Sequence, residues 1–138
     1  MTRKSKEKKR KVIKELMKAP VTGVKFSRGR ISFGFFGHKI RDKILLKKEE
    51  HVADWSRKRR EVFVDKGFGK KEMENSFSAL ALHEAVEKFC AEKFHLNVDE
   101  EAHSIARKKE KEFVKKSGGN WRSHELIVYW DWHKQGEH

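Results

Sequence analysis

The chain has 138 residues, enough for one hydrophobic core and too few for two. Charged residues make up 40% and apolar residues 36%, at a mean hydropathy of -0.90, yet ten Phe, four Trp and one Tyr in periodic clusters exclude a disordered chain. The net charge of +13 is uneven: residues 1–60 carry 21 Lys and Arg against 6 acidic side chains, residues 61–138 carry 13 against 15.

That asymmetry fits a polyanionic partner, nucleic acid first, and equally a solvated tail that keeps the chain in solution. Abundant Lys and Glu with a single Pro and a single Cys also match a thermophile's charged surface. Cys90 has no partner for an intrachain disulfide, which points to a reducing, intracellular setting. No apolar run approaches the roughly 18 residues that span a membrane, and no signal-type apolar core follows the basic start. A soluble, cytoplasmic protein is expected.

Residues 1–11 hold seven basic side chains and one acid, and read as a basic flexible arm ahead of a single α+β domain over 12–138. Lys8, Lys9, Arg10 and Lys11 are the arm's candidate nucleic-acid contacts. From about Glu7 to Lys18 the spacing of Val12, Ile13, Leu16 and Met17 predicts a short helix that Pro20 stops. Val24 and Phe26, then Ile31, Phe33 and Phe35, alternate with polar residues across Ser27-Arg28-Gly29-Arg30, the pattern of a β-hairpin. Gly34 and Gly37 mark a bulge or strand end, and Ile40, Ile44 and Leu46 form a third strand or half of one. Lys47 to Arg60 reads as a short surface helix or ordered loop. Its Arg57-Lys58-Arg59-Arg60 run beside Trp55 is the densest internal basic cluster, suited to nucleic acid or to a solvated face. Glu61 to Asp65 is a strand.

The run Phe77 to Phe94 organises the rest. It is apolar on nearly every side, the mark of a helix in the centre of a small domain, and it should extend from near Lys71. After a turn at His95-Leu96-Asn97, Asn97 and Glu100 cap a second helix over roughly 98 to 116, with Ala102, Ile105, Ala106 and Phe113 inward. Asn120 caps a third helix, although Leu126 to Trp130 is rich enough in β-formers to make a terminal strand. The expected fold is α+β: a small antiparallel or mixed sheet packed against two or three C-terminal helices, with a short basic N-terminal helix.

Within the central helix, His83 and Glu87 are four apart and share a face. Buried, they cost several kcal/mol unless partnered, and a divalent cation such as Zn2+ takes His and carboxylate ligands. Glu87 lies about 10 Å before the helix end and His103 about 8 Å into the next helix, so an antiparallel helix pair brings both to one depth. His83, Glu87 and His103 are the candidate metal ligands, with His124 as an alternative or fourth. Glu84 is then left to hold a water and take its proton. Pairing of His83 with Glu87 or a backbone carbonyl, with no metal, accounts for the same residues. Cys90 reads as core, and His38, His51, His95, His133 and His138 as surface.

The run Ala81-Leu82-His83-Glu84-Ala85-Val86-Glu87 resembles the active-site HExxH helix of zincin-type metallopeptidases, preceded by a sheet as in those folds. More loosely, residues 61–135 resemble small uncharacterised phage and archaeal proteins with an LHExxE helix followed by further helices. The resemblance implies that His83 is a zinc ligand and Glu84 the general base. The chain departs from the peptidase pattern at Glu87, which stands where the second histidine is found and alters site charge and metal preference. Two functions follow: a metal-dependent hydrolase of amide or ester bonds, or a basic nucleic-acid-binding accessory protein whose HExxE helix is structural.

Overall fold

Two tight turns set the sheet. Arg28-Gly29 and Phe36-Gly37 each place both residues at positive φ (52° and 71°, 51° and 76°), the conformation of two-residue hairpin turns whose twist matches their flanking strands. The left-handed Phe36 is held by edge-on packing of its ring against Phe94, 5.5 Å between centroids. The computed structural model describes residues 3–47, 53–55, 60–65, 68 and 74–136. Its strands are β1 (Val21–Ser27), β2 (Arg30–Phe35), β3 (His38–Lys47), β4 (Ala53–Trp55) and β5 (Glu61–Asp65), and its helices α1 (Arg3–Lys18), α2 (Glu74–Phe94), α3 (His103–Lys116) and α4 (Trp121–Gly136). The sheet order is β1-β2-β3-β5-β4. Strands β1 to β3 form an antiparallel meander, β5 runs parallel to β3, and β4 returns antiparallel to β5. The fold is α+β with a mixed sheet, as expected.

Register puts Ile31 opposite Asp42 and Phe33 opposite Ile40 on one face. There Ile31, Phe33, Phe35, Val62 and Val64 lose nearly all solvent contact. Alternate residues, Arg30 opposite Lys43 and Ser32 opposite Arg41, point the other way. Gly34 lets β1 approach closely, since a Cβ there would stand 2.8 Å from Thr22 Oγ1. A bulge between Thr22 and Lys25 follows.

Helix α2 crosses the apolar face, burying Ala81, Leu82, Ala85, Val86 and Cys90 completely. Its all-round apolar character follows from having neighbours on every side: the sheet, α3 and α4. The chain reverses at His95 (φ 53°). Asn97 Oδ1 accepts from the Glu100 amide at 3.0 Å, while Glu101 reaches back to the Asn97 amide at 2.7 Å, a reciprocal cap. The expected second helix therefore starts at Val98, but its first five residues form a π-helical turn before α3 proper. Asn120 caps α4 through the Ser123 amide at 3.0 Å, and residues 126–130 are helical, not a strand.

Two expectations are corrected. Residues 1–11 are expected as an arm with a helix from about Glu7, and α1 starts already at Arg3, because nothing before Pro20 interrupts a run of good helix formers. Lys9 also ties α1 to Glu101 at 2.8 Å. Within the segment 47–60, expected as a short surface helix or ordered loop, Ala53–Trp55 form strand β4, since β5 offers a free edge that they pair with. Three residues are too few to show a periodicity. Arg57, Lys58 and Arg59 lie outside the described residues, and Arg60 is exposed at the start of β5. No helix among the described residues is long and apolar enough to cross a membrane.

Candidate metal centre

Helices α2 and α3 pack against each other, and His83 meeting Glu110 while Glu87 meets His103 makes them antiparallel, so side chains equally far from the turn between them meet. His83 and Glu87 project from α2 toward His103 at the start of α3. His83 Nε2 lies 3.0 Å from Glu87 Oε2, and His103 Nδ1 lies 3.2 Å from the same oxygen. One ligand atom from each residue fits within 4.8 Å of the others. A tetrahedral zinc with arms of 2.0–2.1 Å sets its ligand atoms about 3.3 Å apart. Two of the three separations already match, and a turn of His103, whose side chain is 47% exposed, would close the third. His83 and Glu87 are buried. Among the described residues, this His/Glu/His group is the one whose ligand atoms converge in this way.

Behind His83 stands a residue that the sequence reading did not pick out. Glu110 Oε1 accepts from His83 Nδ1 at 2.6 Å, and its other oxygen accepts from His124 Nε2. His124 Nδ1 in turn meets Ser76 Oγ at 3.0 Å. Ser76, His83, Glu84, Glu87, Glu110 and His124 are all buried. Metal-binding histidines commonly donate their second ring nitrogen to a carboxylate, which fixes the tautomer and raises ligand basicity. Glu110 occupies that position. His124 is thus absent from the converging group and holds Glu110 in place. The signal for Glu110 was present: the inward stripe Ala102, Ile105, Ala106, Phe113 has its next helical slots at 109 and 110, both filled by charges.

Burial opposes charge on His83, but hydrogen bonds to Glu110 and Glu87, with Glu84 nearby, outweigh it and hold the imidazole's pKa up to about 10. Burial likewise opposes charge on Glu110, and its bonds to His124 and His83 hold the carboxyl down to about 2. The cluster therefore stands as an imidazolium between carboxylates. A divalent cation among His83, Glu87 and His103 would have to displace the proton on Nε2, leaving Nδ1–H donated to Glu110 and adding one positive charge to the cluster.

Glu84 Oε1 lies 4.0 Å from His83 Nε2. It lines, with His83, His103, Glu110 and Trp121, a cavity of about 550 Å³. At its mouth Arg107 stacks over Trp121 and pairs with Glu125 at 2.8 Å. Cys90 is fully buried, and burial pushes its thiol up to about 12, with no role as a thiolate. Lys8, Arg10 and Lys11 are exposed on α1, while Lys9 is engaged with Glu101. His38 and His95 are exposed; His51 and His138 lie outside the described residues.

No family model matches the chain, and no curated protein or solved structure is similar to it at a significant level.

Proposed function

We propose that His83, Glu87 and His103 hold a divalent cation, zinc first, and that the protein is a small zincin-like hydrolase acting on amide or ester bonds. The observation that carries this reading is the convergence of two imidazoles and a carboxylate beside a cavity, with Glu110 behind the buried histidine. Zinc held there would supply Lewis acidity and lower the pKa of a water to about 7. Glu84 faces the cavity one helical position from His83, where its carboxylate can take a proton from that water and return it to a leaving amine or alcohol. Arg107 also lines the cavity, and its guanidinium can meet charge that develops on a bound carbonyl oxygen. A cytoplasmic setting goes with this reading, since Cys90 is a free, buried thiol.

A metal-free, proton-held cluster has one observation in its favour: His83 already finds partners on both ring nitrogens. The readings separate on Glu84→Gln. If the hydrolase reading holds, zinc-loaded protein turns over a fluorogenic amide or ester library, and the variant keeps its zinc while losing at least 100-fold in rate. Bound zinc with equal rates in parent and variant removes the role of Glu84. Absence of zinc uptake by the parent favours the proton-held cluster.

A further inference from the structure

The outward face of the sheet carries a lattice of cations that the site in the helices does not use. Register places Lys25, Ser32 and Arg41 in one rung across β1, β2 and β3, with Arg30 and Lys43 in the next and Gly34 and Lys39 in the one before. All five basic side chains are exposed. No acidic residue of β1 to β3 shares this face, since Asp42 pairs with Ile31 on the buried one; Glu61 of β5, beside Lys43, borders it. Like charges directly opposite one another destabilise a sheet, so Arg30 facing Lys43 does not stabilise the β2–β3 pair.

We propose that this face binds the phosphate backbone of duplex nucleic acid. Rungs recur about every 6.7 Å along a strand and strands lie about 4.8 Å apart, so the five cations cover a patch about 13 Å long. A duplex presents one negative charge per about 1.7 Å of its axis, enough to meet every cation of the patch. Small residues form the patch centre: Thr22, Ser32 and Gly34 line a groove of about 710 Å³ flanked by Lys25 and Lys39, and it admits a backbone closely. The outward positions of β1 to β3 carry no aromatic ring, the platform on which single strands stack their bases; of the rings that line the groove, Phe33 and Phe35 are buried, Phe36 packs on Phe94 and His38 on Phe89. Insertion into a lipid surface asks for exposed apolar side chains. Those among the described residues, Phe26, Leu46, Leu126 and Tyr129, belong to the other sheet face and to α4. The surface differs from the basic runs of α1 and of residues 57–60, and its cations come together only through strand register. It is independent of any metal in the helices.

The test is fluorescence anisotropy of a labelled 20-base-pair duplex with the full chain at 50 and 200 mM salt. Five phosphate contacts give a slope of about -4.5 in log affinity against log salt, or about 500-fold weakening across that range. In Arg30→Gln/Arg41→Gln the slope falls by about 2, and Lys25→Gln/Lys39→Gln does the same. Lys111→Gln/Lys115→Gln on α3 leaves it unchanged, and circular dichroism melts confirm that all variants fold. The proposal is overturned by no binding at 50 mM salt, or by an unchanged slope in both sheet variants with loss in Lys8→Gln/Lys11→Gln. Tighter binding to vesicles containing one-third phosphatidylserine than to the duplex also overturns it.

Discussion

Replacing Glu110 by Leu removes the acceptor shared by two buried imidazoles, His83 at 2.6 Å and His124. Side chains 83, 110 and 124 are at most 8% exposed, so the lost acceptor is replaced only by whatever water the adjoining cavity admits. Breaking a buried pair from one side costs about 3–5 kcal/mol. Glu110→Gln keeps the shape and one acceptor oxygen but removes the charge, and costs about 1.5–3 kcal/mol. At about 4 °C per kcal/mol for a chain of this length, the Leu variant of metal-free protein should melt roughly 12–20 °C below the parent. Urea unfolding of both variants, and of His124→Ala with and without Glu110→Leu, measures these terms. The double-mutant cycle should show a coupling above about 1 kcal/mol, as groups in one network are not additive. Zinc affinity should fall about 10–100-fold in Glu110→Gln, whose carboxylate no longer orients His83. Loss of less than about 1 kcal/mol in both Glu110 variants, with additive His124→Ala, would refute the description of the cluster as one network.

Burial raises the Asp42 carboxyl from 3.8 to about 6; Lys88 and Arg60 oppose this and Glu92 adds to it. A raised native pKa contributes stability that is complete below pH 3.8 and lost as pH rises through 6, about 3 kcal/mol in all. Asp42→Asn should therefore match the parent's stability trend at pH 3–4 and gain on it steadily to pH 7, and a constant difference across that range contradicts the burial argument. Lys109, 1% exposed, donates to the carbonyls of Met17 at 2.8 Å and Ala19 at 2.6 Å, closing the C-terminal end of α1. Lys109→Met keeps the apolar stem and leaves those carbonyls to Lys108 alone or to water, costing about 3 kcal/mol. Hydrogen exchange should speed up over residues 13–18 before α2; uniform loss of protection would show that α1 does not open separately.

Much of this fold could be read because its signals are local. Arg28-Gly29 announced one hairpin, Pro20 ended α1, and the all-round apolar run placed α2 at the centre. What escaped depends on neighbours. Strand β4 exists because β5 has a free edge, and three residues carry no period of their own. Leu126 to Trp130 has strand-like composition, but the Asn120 cap and the bond from His124 to Glu110 commit it to helix. The convergence of His83, Glu87 and His103 followed from helix rise alone. Glu110 needed the stripe on α3 to be read for its polar gaps as well as its apolar members. The cations of the sheet face lie apart in sequence, and only the pairing of β1, β2 and β3 gathers them.

The most direct measurement is metal content by mass spectrometry after zinc loading and exhaustive dialysis, on the parent, His83→Ala and Glu87→Gln side by side. One zinc per chain in the parent, falling to a small fraction in both variants that still fold, is the predicted result. Zinc absent from the folded parent, or retained equally by all three proteins, would contradict the metal centre.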